Sequence, residues 1–140
     1  YSYSAAVNAL ISYYESLCLR RGIQPEFSVS LPNGLSVSDQ DFCVMLGNLL
    51  ENAIDGSKEA ESPYICLKIR QTAPNMLAVK VANPYRGTFK KEDGHYRSSK
   101  REGFGKGLES VNLIAEKYQG MMEILTDEQI FTVKVLLQIP

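Results

Sequence analysis

Two alternating runs, YICLKIRQT (64–72) and MLAVKVAN (76–83), flank Pro74 and Asn75. Successive side chains of a strand point to opposite faces, so each run carries one apolar face and one mixed face. The intervening turn folds the second run back on the first, which predicts a β-hairpin. Such a hairpin is marginal alone, and its apolar face has to be covered by other elements.

The rest of the chain supplies the cover. Val7, Leu10, Ile11, Tyr14, Leu17 and Cys18 recur at helical spacing, predicting an amphipathic helix over 3–21 that Gly22 ends. EFSVSL (26–31) alternates as a short strand, and LPNG (31–34) turns the chain. Ser38 is a fitting N-cap, with Asp39 and Asp41 at the positive start of a helix over 39–57 that stops near Gly56. Leu108, Val111, Ala115 and Tyr118 mark a third helix, closed by Gly120. MMEILTD and QIFTVKVLLQI finish as two strands around a turn at Asp127 and Glu128. Hairpins outnumber βαβ units in this order. The expectation is an α+β fold: a two-layer sandwich whose mixed, mostly antiparallel sheet is covered on one face by three helices. The polar stretch TFKKEDGHYRSSKREGFGKG (88–107) is long for a connection in a compact domain, and such loops tend to be functional or mobile.

A chain of 140 residues fits one domain, expected to span 1–140. Fifteen basic against sixteen acidic residues leave a net charge of −1, so no basic excess argues for a nucleic-acid surface. No apolar run reaches the ~18 residues of a membrane span, and no signal peptide is visible. The chain opens on Tyr1 with a helical pattern already under way, as a fragment of a longer protein would. Cys18, Cys43 and Cys66 stand apart among apolar neighbours, as small buried thiols do.

Two stretches carry candidate chemistry. In NLLENAIDGS (48–57), asparagines sit one turn apart in the middle of a helix, although asparagine is a mediocre helix former. At 100° per residue, Phe42, Leu46, Leu49, Leu50, Ala53 and Ile54 share one face, while Asn48, Asn52, Asp55 and Glu59 fall within a narrow arc opposite. That arc is either an ordinary solvated face or a row of oxygens that holds a hard cation such as magnesium in a cleft. In REGFGKGLESV, Gly103, Gly105 and Gly107 lead into a helix. Glycines admit close backbone approach, and a helix start offers free N–H groups to a phosphate. Lys100, Arg101 and Lys106 add charge there. The spacing matches neither a P-loop nor a Rossmann fingerprint.

Taken in order, these features resemble the GHKL ATP-binding superfamily, which contains gyrase B, the Hsp90 chaperones, MutL and the sensor histidine kinases. NLLENAIDGS looks like its N box, VANPYRG (81–87) occupies the place of the G1 box, and GFGKGLESVNLIAEKYQG (103–120) that of the G2 box. The resemblance runs over essentially the whole chain and implies the Bergerat ATP-binding fold. By position, Asn52 matches the asparagine that holds the magnesium bridging the ATP phosphates. Asn48 matches a position that is glutamate in the hydrolysing relatives and asparagine in the kinases. An amide is no general base near neutral pH, so the likeness is to kinases.

Asn83 stands where the family's adenine-reading aspartate is expected, and its amide oxygen is still an acceptor for an adenine amino group. Pro84 and Tyr85 replace small residues, leaving Gly87 as the only glycine of that box. Asp55 stands where many kinases carry lysine, so Lys58, Lys100 or Lys106 would supply the phosphate charge. Leu108 follows the last glycine of GxGxGL.

The resemblance therefore implies a catalytic ATP-binding domain of a sensor histidine kinase, similar to the AgrC/VirS-like quorum-sensing subgroup. Its ligands would be ATP and Mg2+. The γ-phosphate would pass to a histidine on a separate dimerisation domain upstream, since His95 is a solvated loop residue on this reading, and a response regulator would follow. The whole protein would be a homodimeric, membrane-anchored bacterial receptor with this domain in the cytoplasm. Two rivals keep the fold: a regulatory or interaction module that binds nucleotide feebly, and a serine kinase of the anti-sigma type.

Overall fold

The computed structural model describes residues 4–32, 36–85, 90–92, 95–97, 105–127 and 129–139, with the backbone alone for 90–92, 95–97 and 105–106. Three helices, α1 (Ala5–Arg20), α2 (Asp39–Gly56) and α3 (Gly105–Lys117), alternate with strands β1 (Gln24–Val29), β2 (Tyr64–Ala73), β3 (Met76–Pro84), β6 (Met121–Asp127) and β7 (Ile130–Gln138). The sheet order is β1-β2-β3-β7-β6. β1 pairs with β2 in parallel and every other pair is antiparallel. The expected α+β fold, with a mixed sheet and three helices, is the one observed.

Alternation explains the layering. Leu67, Val81 and Val133 lie side by side across three strands, as do Ile69, Val79 and Val135, and all six are buried. Phe42, Leu46, Leu49, Leu50, Ala53 and Ile54 of α2, with Leu108, Val111 and Ala115 of α3 and Val7 and Ile11 of α1, complete the same core. At ~25 cal/mol per Å² of apolar surface removed from water, this layer is the main source of stability.

Local signals set the boundaries. Ser4 Oγ accepts from Val7 N at 3.1 Å, so α1 begins two residues later than its periodicity suggests. Ser38 caps α2 as expected, accepting from Asp41 N at 3.1 Å. Gly22 has φ +73°, a value that suits glycine after a helix. At the end of α3 the left-handed residue is Gln119 (φ 57°), whereas Gly120 answers a different need. Its N–H bonds Ala115 O at 2.8 Å, and a Cβ there would overlap the Leu136 carbonyl.

Within the stretch expected to be a structureless loop, Lys90–Glu92 (β4) and His95–Arg97 (β5) pair as a short antiparallel hairpin. His95 is thus a strand residue by its backbone, not a loop residue. The LPNG turn lies largely outside the described residues. Glu59 is not on α2, which stops at Gly56, so the polar arc of that helix comprises Asn48, Asn52 and Asp55.

Candidate functional site

α2 and α3 pack antiparallel, the start of α2 against the end of α3, and Asn48 of the polar arc lies at the start of α3. A Cβ built on Gly107 would meet Asn48 Oδ1 at 3.5 Å, so the glycine of the third helix lies against the asparagine of the second. Asn48 and Asn52 are both half-buried. Neither has a hydrogen-bond or ion-pair partner among the described residues, and neither exposes a fully buried orphan atom. Half-buried amides without partners are costly unless water or a ligand completes them.

The first turn of α3 contains no acidic residue, so no carboxylate within that turn offsets its positive end. Gly105 and Gly107 belong to this helix start, and Leu108 is buried behind it. An amide oxygen next to a helix start suits a hard cation that is itself bound to an anion.

The other wall is β3. Alternation puts Val79, Val81 and Asn83 on the helix-covered face, and Asn83 is 2% exposed. Its Nδ2 donates to Pro84 O at 2.8 Å, which leaves Oδ1 as the amide's acceptor. Gly56 makes this possible. A Cβ there would sit 3.0 Å from Asn83 Nδ2, so a larger residue would push the asparagine aside. The sequence pattern read Gly56 only as a helix stop, and close approach is its second role.

Asp55 is exposed and its Oδ1 pairs with Lys58 Nζ at 2.9 Å. The lysine offered as a replacement phosphate charge is thus held on the carboxylate that occupies the usual lysine position. Lys106 contributes its backbone to α3. Gly87, Lys100 and Gly103 lie outside the described residues.

At the far end of the helix pair is a polar clamp that periodicity did not reveal. Lys117 Nζ and Tyr118 Oη both donate to Asp41 Oδ2, at 2.8 and 2.6 Å, and Ser38 N donates to Tyr118 Oη at 3.2 Å. The bonds from Lys117 and then Tyr118 hold the Asp41 carboxyl below its ordinary range, and the same contact raises Lys117. Between α1 and α2, Tyr14 Oη donates to Glu51 at 3.0 Å beside Gly47. Burial and the carboxylate both push that phenol up. Periodicity places Tyr118 and Tyr14 among the apolar positions, and the available cue is that a buried tyrosine usually places its hydroxyl on a partner.

Comparison with known proteins decides the family. The model described as GHKL domain matches residues 37–138. The chain belongs to the GHKL family. No curated protein matches the chain. Among solved structures, the fold is similar to the Acinetobacter baumannii histidine kinase AdeS (TM-score 0.70, 16% identity, 96% of this chain and 63% of that one). It is also similar to the mycobacterial sensor histidine kinase MprB (0.69, 18%, 95% and 95%) and the catalytic domain of the histidine kinase ThkA (0.71, 18%, 94% and 92%). The chain thus spans less than two thirds of the solved AdeS chain and nearly all of the solved MprB chain. GHKL domains bind ATP, and the structural neighbours of this GHKL domain are histidine kinase catalytic domains. Among the described residues, no helix is long and apolar enough to cross a membrane.

Proposed function

We propose that this GHKL domain is the catalytic ATP-binding domain of a sensor histidine kinase, a single domain cut from a longer, membrane-anchored bacterial chain. The observation that carries the reading is the half-buried, unpartnered amide of Asn48 against the glycine-bearing start of α3, with a second such amide, Asn52, one turn along α2. Adenine enters between α2 and β3, where Asn83 Oδ1 accepts from its amino group and Gly56 leaves the room. The triphosphate runs to the N–H groups at the start of α3, toward Gly105 and Gly107; by the family resemblance Gly87, Lys100, Gly103 and Lys106 belong to the same nucleotide site. Asn52 would hold magnesium with Asn48 beside it; bound there, the cation would neutralise phosphate charge.

Neither asparagine is a base, which suits transfer to an imidazole better than hydrolysis. A histidine nucleophile needs positioning and charge neutralisation more than deprotonation. The acceptor histidine then lies on an upstream dimerisation domain, and a response regulator receives the phosphate in turn. The AgrC/VirS-like, quorum-sensing assignment is supported by Asn83 in the aspartate position together with SSKREGFGKGLESV.

Isothermal titration with Mg·ATP tests the site. Wild type binds, and Asn52→Ala loses affinity by about tenfold or more, in line with removal of a metal-holding group. Unchanged affinity in the variant removes the magnesium role. A wild type that binds no nucleotide favours a regulatory module, a reading that the neutral Asn83 and the Lys58–Asp55 pair support.

A further inference from the structure

The face of the sheet away from the helices carries a pattern that ATP binding does not use. Strand register sets Lys68 of β2 beside Lys80 of β3, and Lys80 beside Lys134 of β7. Three lysines therefore form one lateral row across the middle of the sheet. Like charges directly opposite each other destabilise a sheet, so the row has an intrinsic cost. Glu123 of β6 stands at the end of the row, opposite Lys134. None of the three lysines has a hydrogen-bond or ion-pair partner among the described residues. One register step away, Arg70 lies over the same face and donates to Ser28 Oγ at 2.9 Å.

The row crosses a hollow of about 430 Å³. Its shape follows from side-chain size. Ala78 on the central strand leaves a trough, flanked by Arg70 and Lys68 on β2 and by Leu136 and exposed Met121 on β7 and β6. Strands lie about 4.8 Å apart, so β2 and β7 set ridges about 10 Å apart. That is the width of an α-helix, about 10–12 Å with its side chains.

We propose that this face is a docking surface for an acidic amphipathic helix of a partner protein. Its apolar stripe would lie on Ala78, Leu136 and Met121, and its carboxylates would neutralise Lys68, Lys80 and Lys134. The concavity and apolar floor select a cylinder over a flat anionic bilayer, which would reach only the lysine tips. The site lies on the opposite side of the sheet from the nucleotide crevice and does not depend on it.

The probe is a fluorescein-labelled, 18-residue peptide with glutamates along one face at helical spacing and leucines beside them. Its binding to the domain is read by fluorescence anisotropy from low to physiological salt. The wild type binds with an affinity that falls as salt rises. Lys68→Gln with Lys80→Gln lowers affinity by about tenfold and flattens the salt dependence. Ala78→Leu fills the trough and lowers affinity with no charge altered. Circular dichroism and Mg·ATP titration confirm that each variant folds and keeps the opposite face intact.

Four results overturn the proposal. The first is equal binding by the lysine or Ala78 variants, and the second is equal binding of a scrambled peptide of the same composition. The third is binding of vesicles containing phosphatidylglycerol but not of the peptide. The fourth is sedimentation showing a second copy of the chain on this face, released by the same lysine substitutions.

Discussion

α2 and α3 are finished differently at the two ends of their crossing. Where α2 begins, a carboxylate, an ammonium, a phenol and a backbone N–H from Asp41, Lys117, Tyr118 and Ser38 close the junction within 2.6–3.2 Å. Where α3 begins, a glycine faces an asparagine, and no side chain among the described residues bridges the gap. Among the described residues, one end satisfies its own polar groups and the other leaves the Asn48 amide without a partner. The polar groups of the closed end serve stability, and those of the open end belong to the proposed nucleotide site. Such a site holds its shape only if the helices that form it are fixed elsewhere.

The sharpest way to break the closed end is at Gly120, two residues after Tyr118. A Cβ there would lie 2.6 Å from the Leu136 carbonyl carbon and 3.1 Å from Leu137 Cα, all backbone that has no rotamer with which to yield. Gly120→Ala is expected to cost about 3 kcal/mol or more, through displaced strand pairing. Urea unfolding measures it. A loss below about 1 kcal/mol would show that β6 and β7 separate easily and that this end is not rigid.

A smaller effect follows from Asp41→Asn, about 1 kcal/mol near neutral pH from two weakened charge-assisted bonds. Its pH dependence is more diagnostic. The Asp41 carboxyl is depressed in the folded protein, chiefly by the Lys117 bond and next by Tyr118. A depressed carboxylate contributes stability that is present above its unfolded value of about 3.9 and is lost as pH falls through the folded value. Below both values wild type and Asp41→Asn should therefore converge in stability, having differed at pH 6. A difference that persists at the lowest pH would assign the clamp to packing and not to charge.

Layering and core were legible in the sequence because period-2 and period-3.6 patterns are themselves the cause of burial. Phe42, Leu46, Leu49 and Leu50 had to face the sheet wherever the sheet lay. The three boxes were legible as motifs, and the structure brings Asn48 to Gly107 across a sequence separation that no local pattern reports. What stayed hidden depends on tertiary placement. The parallel pairing of β1 with β2, the Gly56–Asn83 approach and the Asp41–Tyr118 bond each join segments through the folded core. Tyr118 shows the reason well: at the level of periodicity its ring is an apolar residue of α3, and only the fold tells its hydroxyl that Asp41 is there.

The smallest expected change in stability, and the best discriminator between the two ends, is Gly107→Ala. A methyl at this position meets Asn48 Oδ1 at 3.5 Å, an ordinary contact, unlike the overlap at Gly120. Alanine is favoured over glycine within a helix by up to about 1 kcal/mol, and less in a first turn, so the variant should be slightly more stable than wild type. Yet the methyl occupies the gap between the asparagine arc and the α3 start, where the phosphates are proposed to lie. Affinity for Mg·ATP should fall while the melting temperature holds or rises. Stability and binding then move in opposite directions at the open end, whereas at Gly120 they can only fall together. If Gly107→Ala binds nucleotide as wild type does, the gap beside Asn48 is a packing detail, and the phosphate path has to be drawn elsewhere along α2.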